Sequence, residues 1–161
     1  MKKRILTFGV VLVLVTVLMA PGAVLATGTT EVTGTVIQGY TFTAPTAIGL
    51  GSMAPSLTPY KASSTDGSLV GNNPTGYTVE GIDVKGTDTG YMVSGSDVLA
   101  NQHQISNADA DYVNADTSKK FVDTSGPTDV TVSLYVSQEV AFTDAVGTYT
   151  ITITLTVIPK A

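Results

Sequence analysis

The chain has 161 residues, no cysteine, no tryptophan, a single histidine and a formal net charge of −5. An acidic balance argues against nucleic acid or anionic lipid as partners, since both are held through Lys/Arg patches, and the lack of cysteine removes disulfides and thiol chemistry. Stability must then come from an apolar core, from bound metal or from association with neighbours.

Lys2, Lys3 and Arg4 form a basic start, Ile5 to Met19 an apolar run, and Pro21-Gly22 a helix break ahead of the small-residue step Val24-Leu25-Ala26. That order predicts a signal peptide over residues 1–26. The apolar run is shorter than the roughly 20 residues that span a bilayer, so a cleaved leader is expected rather than an anchor. No cysteine follows it to carry a lipid. The expected product is exported and free of the membrane, a single domain over residues 27–161. Losing three positive charges with the leader takes its net charge to −8.

From Val32 to Ala44 apolar and small residues alternate with threonine, which predicts a strand interrupted by Gly34 and Gly39 and ended by Pro45. Ala47 to Gly51 reads as a short strand. Met53 to Ser68, with Pro55, Pro59, Gly67 and many hydroxyls, reads as a long loop. Leu69-Val70 seeds a strand before the dense turn signal Asn72-Asn73-Pro74-Thr75-Gly76. Further strands are expected at Tyr77–Val84, kinked at Gly81, at Tyr91–Val93 and at Phe121-Val122, with a helical turn near Asp97 to Gln102.

The last two strands are the plainest. In Val130 to Ser137 the even positions are Val130, Val132, Leu134 and Val136. In Thr148 to Ile158 threonine fills every even position to 156, and Tyr149, Ile151, Ile153, Leu155 and Val157 fill the odd ones. Side chains alternate across a strand, so each run has one oily face and one hydroxyl face. The two runs are expected to pair across the linker Gln138 to Gly147. The whole predicts an all-β, antiparallel β-sandwich, immunoglobulin-like or jelly-roll-like, of about seven to nine strands.

Three phrases carry a family resemblance: Ile48-Gly49-Leu50-Gly51-Ser52-Met53-Ala54-Pro55, Asn72-Asn73-Pro74-Thr75-Gly76-Tyr77-Thr78-Val79, and Ala145-Val146-Gly147-Thr148-Tyr149-Thr150-Ile151-Thr152-Ile153. They resemble steps in secreted prokaryotic surface β-sandwiches, among them WxL-type cell-wall-associated proteins. The resemblance implies a sandwich fold and a surface location. Wall attachment in that family is tied to Trp-x-Leu, which a chain without tryptophan lacks, so no residue here inherits it.

Chemistry-bearing residues are few. His103 sits in the polar stretch Asn101-Gln102-His103-Gln104 and is expected at the surface. No thiol nucleophile, G-x-S-x-G elbow, H-E-x-x-H or phosphate loop occurs, so no enzyme and no cofactor is expected. Asn107, Asp109 and Asp111 alternate like the opening of a calcium loop, with hard oxygen donors closely spaced. Tyr112 and Ser118 stand where an EF-hand needs glycine and glutamate, so calcium, if bound, would be held in a looser loop. Tyr40, Tyr77 and Tyr149 are expected to cap the core, while Tyr135 falls on the polar side of its strand.

A secreted structural or adhesive protein of the cell surface or extracellular matrix fits these features. Its expected partners are other proteins or copies of itself, joined by strand addition through Thr27–Ala44 or the terminal strand. A non-catalytic module for wall or surface polysaccharide is the alternative.

Overall fold

The computed structural model describes residues 33–161; the expected leader, residues 1–26, lies outside them. The chain divides after Thr35. Within the unit Val36–Ala161 the longest strands are β2 (Ser56–Gly71) and β9 (Thr128–Val140), paired antiparallel. They are the spine of a five-stranded sheet. The short β1 (Tyr40–Thr43) flanks β2, and β6 (Gln104–Ser106) with β7 (Val113–Asn114) flanks β9, giving the order β1-β2-β9-β6-β7. A three-stranded sheet, β10-β3-β8, is made of β3 (Tyr77–Ile82), β8 (Lys119–Asp123) and β10 (Thr154–Pro159). A small hairpin joins β4 (Val93–Ser94) to β5 (Asp97–Val98), and among the described residues every pairing is antiparallel.

Leu69, Val132, Val136 and Ile105 from the larger sheet meet Tyr77, Val79 and Phe121 from the smaller one in one apolar cluster. Two sheets closed over a shared core make a sandwich, so the expected fold class holds. Alternation holds in the first part of β9, where Val132 is buried while Asp129 and Thr131 are exposed, and is lost toward its end, where Ser137 and Gln138 are buried beside Val136. Burying one such core valine removes about 1.5–3 kcal/mol of apolar surface energy from water.

Several local expectations are corrected. Met53 to Ser68 is no loop, because Ser56 onward is strand, held by its pairing to β9. A hydroxyl-rich, proline-containing segment has weak strand propensity of its own, and a strong neighbour overrides it. Gly67 is required there: a Cβ would lie 2.6 Å from the Val132 carbonyl oxygen and 2.7 Å from the Pro45 ring. The register slips between Ser64 and Gly67, and Asp66 in that bulge accepts hydrogen bonds from the Ser64 hydroxyl and, at 2.9 Å, from Thr46 N–H. Those donors lower its carboxyl pKa to about 2.

β9 and β10 do not pair. They lie in opposite sheets, β10 antiparallel to β3, and the linker after Val140 crosses between sheets. Thr148 to Ile153 is largely outside the strand, with one bridge from Thr150 to Val93. Only Tyr40–Thr43 of the expected Val32–Ala44 strand is paired. Ala47 to Gly51 forms no strand, although Ile48 and Leu50 still pack on the core. Asp97 to Gln102 is no helical turn, since Asp97-Val98 closes the β4–β5 hairpin. The irregularity in β3 is a register slip against β8 between Val79 and Glu80, and the adjacent Gly81 lets Phe121 and Leu155 pack, its missing Cβ lying 2.4 and 2.7 Å from their side chains.

Candidate functional site: an open sheet edge

At one corner of the sandwich the end of β2, the start of β3, the start of β1 and the end of β10 come together. The turn Asn72–Gly76 builds this corner. Asn73 is buried, and its amide donates to the Gly76 carbonyl at 2.7 Å and the Lys160 carbonyl at 2.8 Å. Gly76 has φ +91° and a Cβ there would fall 2.1 Å from the Thr124 carbonyl, so glycine alone fits. The Tyr77 ring is fully buried above Gly71. Its hydroxyl accepts from Asn73 N–H at 3.0 Å and donates to the Gly39 carbonyl at 2.9 Å. Tyr40 meets the Tyr77 ring edge-on at 5.6 Å.

Lys160 N–H donates to Gly76 at 3.0 Å, in the same register that pairs Thr154 to Ile82. Antiparallel strands bond to a given neighbour through alternate residues. Thr154, Thr156 and Ile158 therefore bond inward to β3. Leu155 and Val157 turn their N–H and C=O outward, and Pro159 has no N–H to offer. Among the described residues no strand lies on that outer side of β10. The core is thin there too: Ile151, Ile153, Leu155 and Val157 pack against it only half-buried, whereas Tyr77 and Val79 on the neighbouring strand are fully covered. No charged residue occurs from Val146 to Pro159, so the usual protection of a free edge by Lys or Glu is missing.

The segment before β1 departs from the same corner. Asn72 N–H donates to the Gly39 carbonyl at 3.2 Å, its side-chain oxygen accepts from Gly39 N–H at 2.7 Å, and its side-chain amide donates to Ile37 at 2.8 Å. These bonds continue the β1–β2 register past Gly71 and hold Ile37 and Gly39 in line with β1. Val36 and Ile37 are 88% and 81% exposed, unusual for β-branched residues. An open hollow of about 380 Å³ lies between Gln38, Gly39, Tyr40 and Pro159. Both end segments are alternating runs in the sequence. Asn72 and Asn73 lie in the turn between β2 and β3, and their side-chain amides join the two segments here.

The remaining candidates lie elsewhere. Asn107, Asp109 and Asp111 are exposed between β6 and β7. Lys61 Nζ sits 2.8 Å from the Asp109 carboxylate, and the Tyr112 hydroxyl donates to that carboxylate at 2.9 Å. Lys61 and then Tyr112 hold the Asp109 carboxyl below its usual range. Asp111 has φ +49° and offers its carbonyl to Lys119 at 2.9 Å. A calcium ion in this loop would compete with Lys61 for Asp109. Among the described residues no three His, Cys, Asp or Glu gather as a metal set.

His103 is not at the surface; it is 2% exposed, with Nδ1 3.1 Å from the Gln138 side-chain oxygen. Gln138 is fixed by donating to the Asn101 and Glu139 carbonyls at 3.0 and 2.8 Å. Burial pushes the imidazole pKa down, against the Gln138 bond and the nearby Asp83 charge. Of the expected caps, Tyr77 is wholly inside, Tyr40 is half-exposed, and Tyr149 is half-buried with its hydroxyl donating to the Ala145 carbonyl at 2.9 Å. Tyr135 is half-buried, and Lys61 sits 4.9 Å over the ring of Tyr112. Comparison with family models, with curated proteins and with solved structures finds no match.

Proposed function

We propose that this protein is a secreted structural or adhesive component of the cell surface or extracellular matrix, whose copies associate through their sheet edges. The observation that carries the reading is the bare, uncharged outer edge of β10 beside half-buried Leu155 and Val157. Unpaired edge amides and partly covered apolar residues both gain from an added strand, through new hydrogen bonds and removal of apolar surface from water. The N-terminal basic and apolar run supplies the export route. Among the described residues no helix is long and apolar enough to cross a membrane.

Sedimentation and electron microscopy of the chain from residue 27 onward test the reading. Concentration-dependent assemblies are expected. A monomer at every concentration, together with saturable binding to wall polysaccharide that aromatic substitution abolishes, would replace it with the polysaccharide-binding alternative.

A further inference from the structure

We infer that the outer edge of β10 is an acceptor for the segment Thr33–Gly39 of a second copy of this chain, laid antiparallel to β10 as a fourth strand of the small sheet. The inference rests on the self-association reading and assigns its two halves.

The donor is set by exposure and composition. Thr33 to Gly39 belongs to no strand, all seven residues are exposed, and from Val32 to Tyr60 the chain carries no charge. An uncharged donor suits an uncharged edge, because neither partner must bury an unpaired ion. Val36 and Ile37 bring β-branched side chains suited to a strand, which would cover half-buried Leu155 and Val157.

Direction decides between a donor in the same chain and one in another. β10 runs toward the corner and ends at Pro159, opposite Tyr77. The chain approaching Tyr40 reaches that same corner, where Gly39 bonds to Tyr77. If it folded back on its own β10, the two strands would be parallel, in a protein whose other pairings are all antiparallel. It would also have to break the Asn72 bonds that hold Ile37 and Gly39 in line with β1. A second copy meets neither obstacle. The outward N–H and C=O of Leu155 and Val157 then pair with donor backbone, and Pro159, lacking N–H, ends the new ladder.

Two variants separate the halves. Val36→Asp with Ile37→Asp disables the donor, putting charge on residues that support no core. Val157→Pro disables the acceptor by removing an outward N–H while leaving those given to β3. Circular dichroism and thermal melting establish that each variant is folded, and a Thr156→Pro control, which breaks an inward bond, shows what unfolding looks like. The expected result is assembly of the unmodified protein, a monomer for each variant alone, and a one-to-one dimer when the two are mixed, since the mixture holds one working donor and one working acceptor. A mixture that stays monomeric, or variants that assemble like the unmodified protein, overturns this pairing and leaves self-association standing. An unmodified protein that never assembles overturns the self-association reading itself.

Discussion

Replacing Tyr77 by phenylalanine removes one oxygen from a side chain that is wholly buried. The ring stays, so the apolar packing over Gly71 stays with it. What is lost is the acceptor for Asn73 N–H at 3.0 Å and the donor to the Gly39 carbonyl at 2.9 Å. Gly39 keeps a second partner in Asn72 N–H, but the Asn73 N–H, in a residue 2% exposed, has no replacement. Stranding one buried donor costs about 1–3 kcal/mol. A domain of this size loses about 4 °C of Tm per kcal/mol, so a fall of roughly 4–12 °C is expected. Urea unfolding should show a lower midpoint at an unchanged slope. A companion change sharpens the test. Gly71→Ala would put a methyl 2.5 Å from the Tyr77 ring, an overpacking worth about 1–3 kcal/mol. Its cost should persist in the phenylalanine background and vanish beside Tyr77→Ala, where the ring is gone. A Tyr77→Phe protein melting within about 1 °C of the parent would mean that water reaches the hydroxyl, and the account of the corner would be wrong.

Gly76→Ala should be worse than an ordinary turn substitution. It combines φ +91° with a methyl 2.1 Å from a backbone carbonyl, and a loss of several kcal/mol, read by urea titration, is expected. His103, with its pKa held down by burial, binds a proton more readily unfolded than folded. Stability attached to it is therefore intact above about pH 6.5 and falls as pH drops below that, by up to about 1.4 kcal/mol per pH unit; His103→Gln should flatten the slope in a Tm-against-pH series. Tyr112, raised to about 12 by burial first and the Asp109 carboxylate second, should titrate lower in Asp109→Asn, measured by phenolate absorbance. Phe142→Ser, at an 81% exposed site, should leave stability within about 0.5 kcal/mol in the same urea assay.

The strands that announced themselves were those whose own side chains alternate. Val130 to Val136 and Thr154 to Val157 could be assigned a face from sequence because a period of two is written in them. Ser56 to Gly67 could not, since its two buried positions are Ser64 and Gly67, and at Gly67 the Val132 carbonyl and the Pro45 ring leave no room for a Cβ. Partnership was also out of reach. The Val130 and Thr148 runs suggest a hairpin by proximity, and only the long-range pairing to β2 and β3 separates them into opposite sheets. His103 has a polar neighbourhood in sequence, and what buries it is Gln138, 35 residues away. Of the open edge, the two uncharged ends were readable; the amides of Asn72 and Asn73 that bring them to one corner depend on a fold no local pattern reveals.

Asn72 grips the departing chain by three hydrogen bonds, one from its main chain and two from its side chain, to Gly39 and Ile37. An arm clamped at its root leaves at a set angle, where a loose tether would sweep a cone. Successive copies joined through such arms would repeat one rotation and one rise, so a chain of them should be a stiff thread of constant helical pitch.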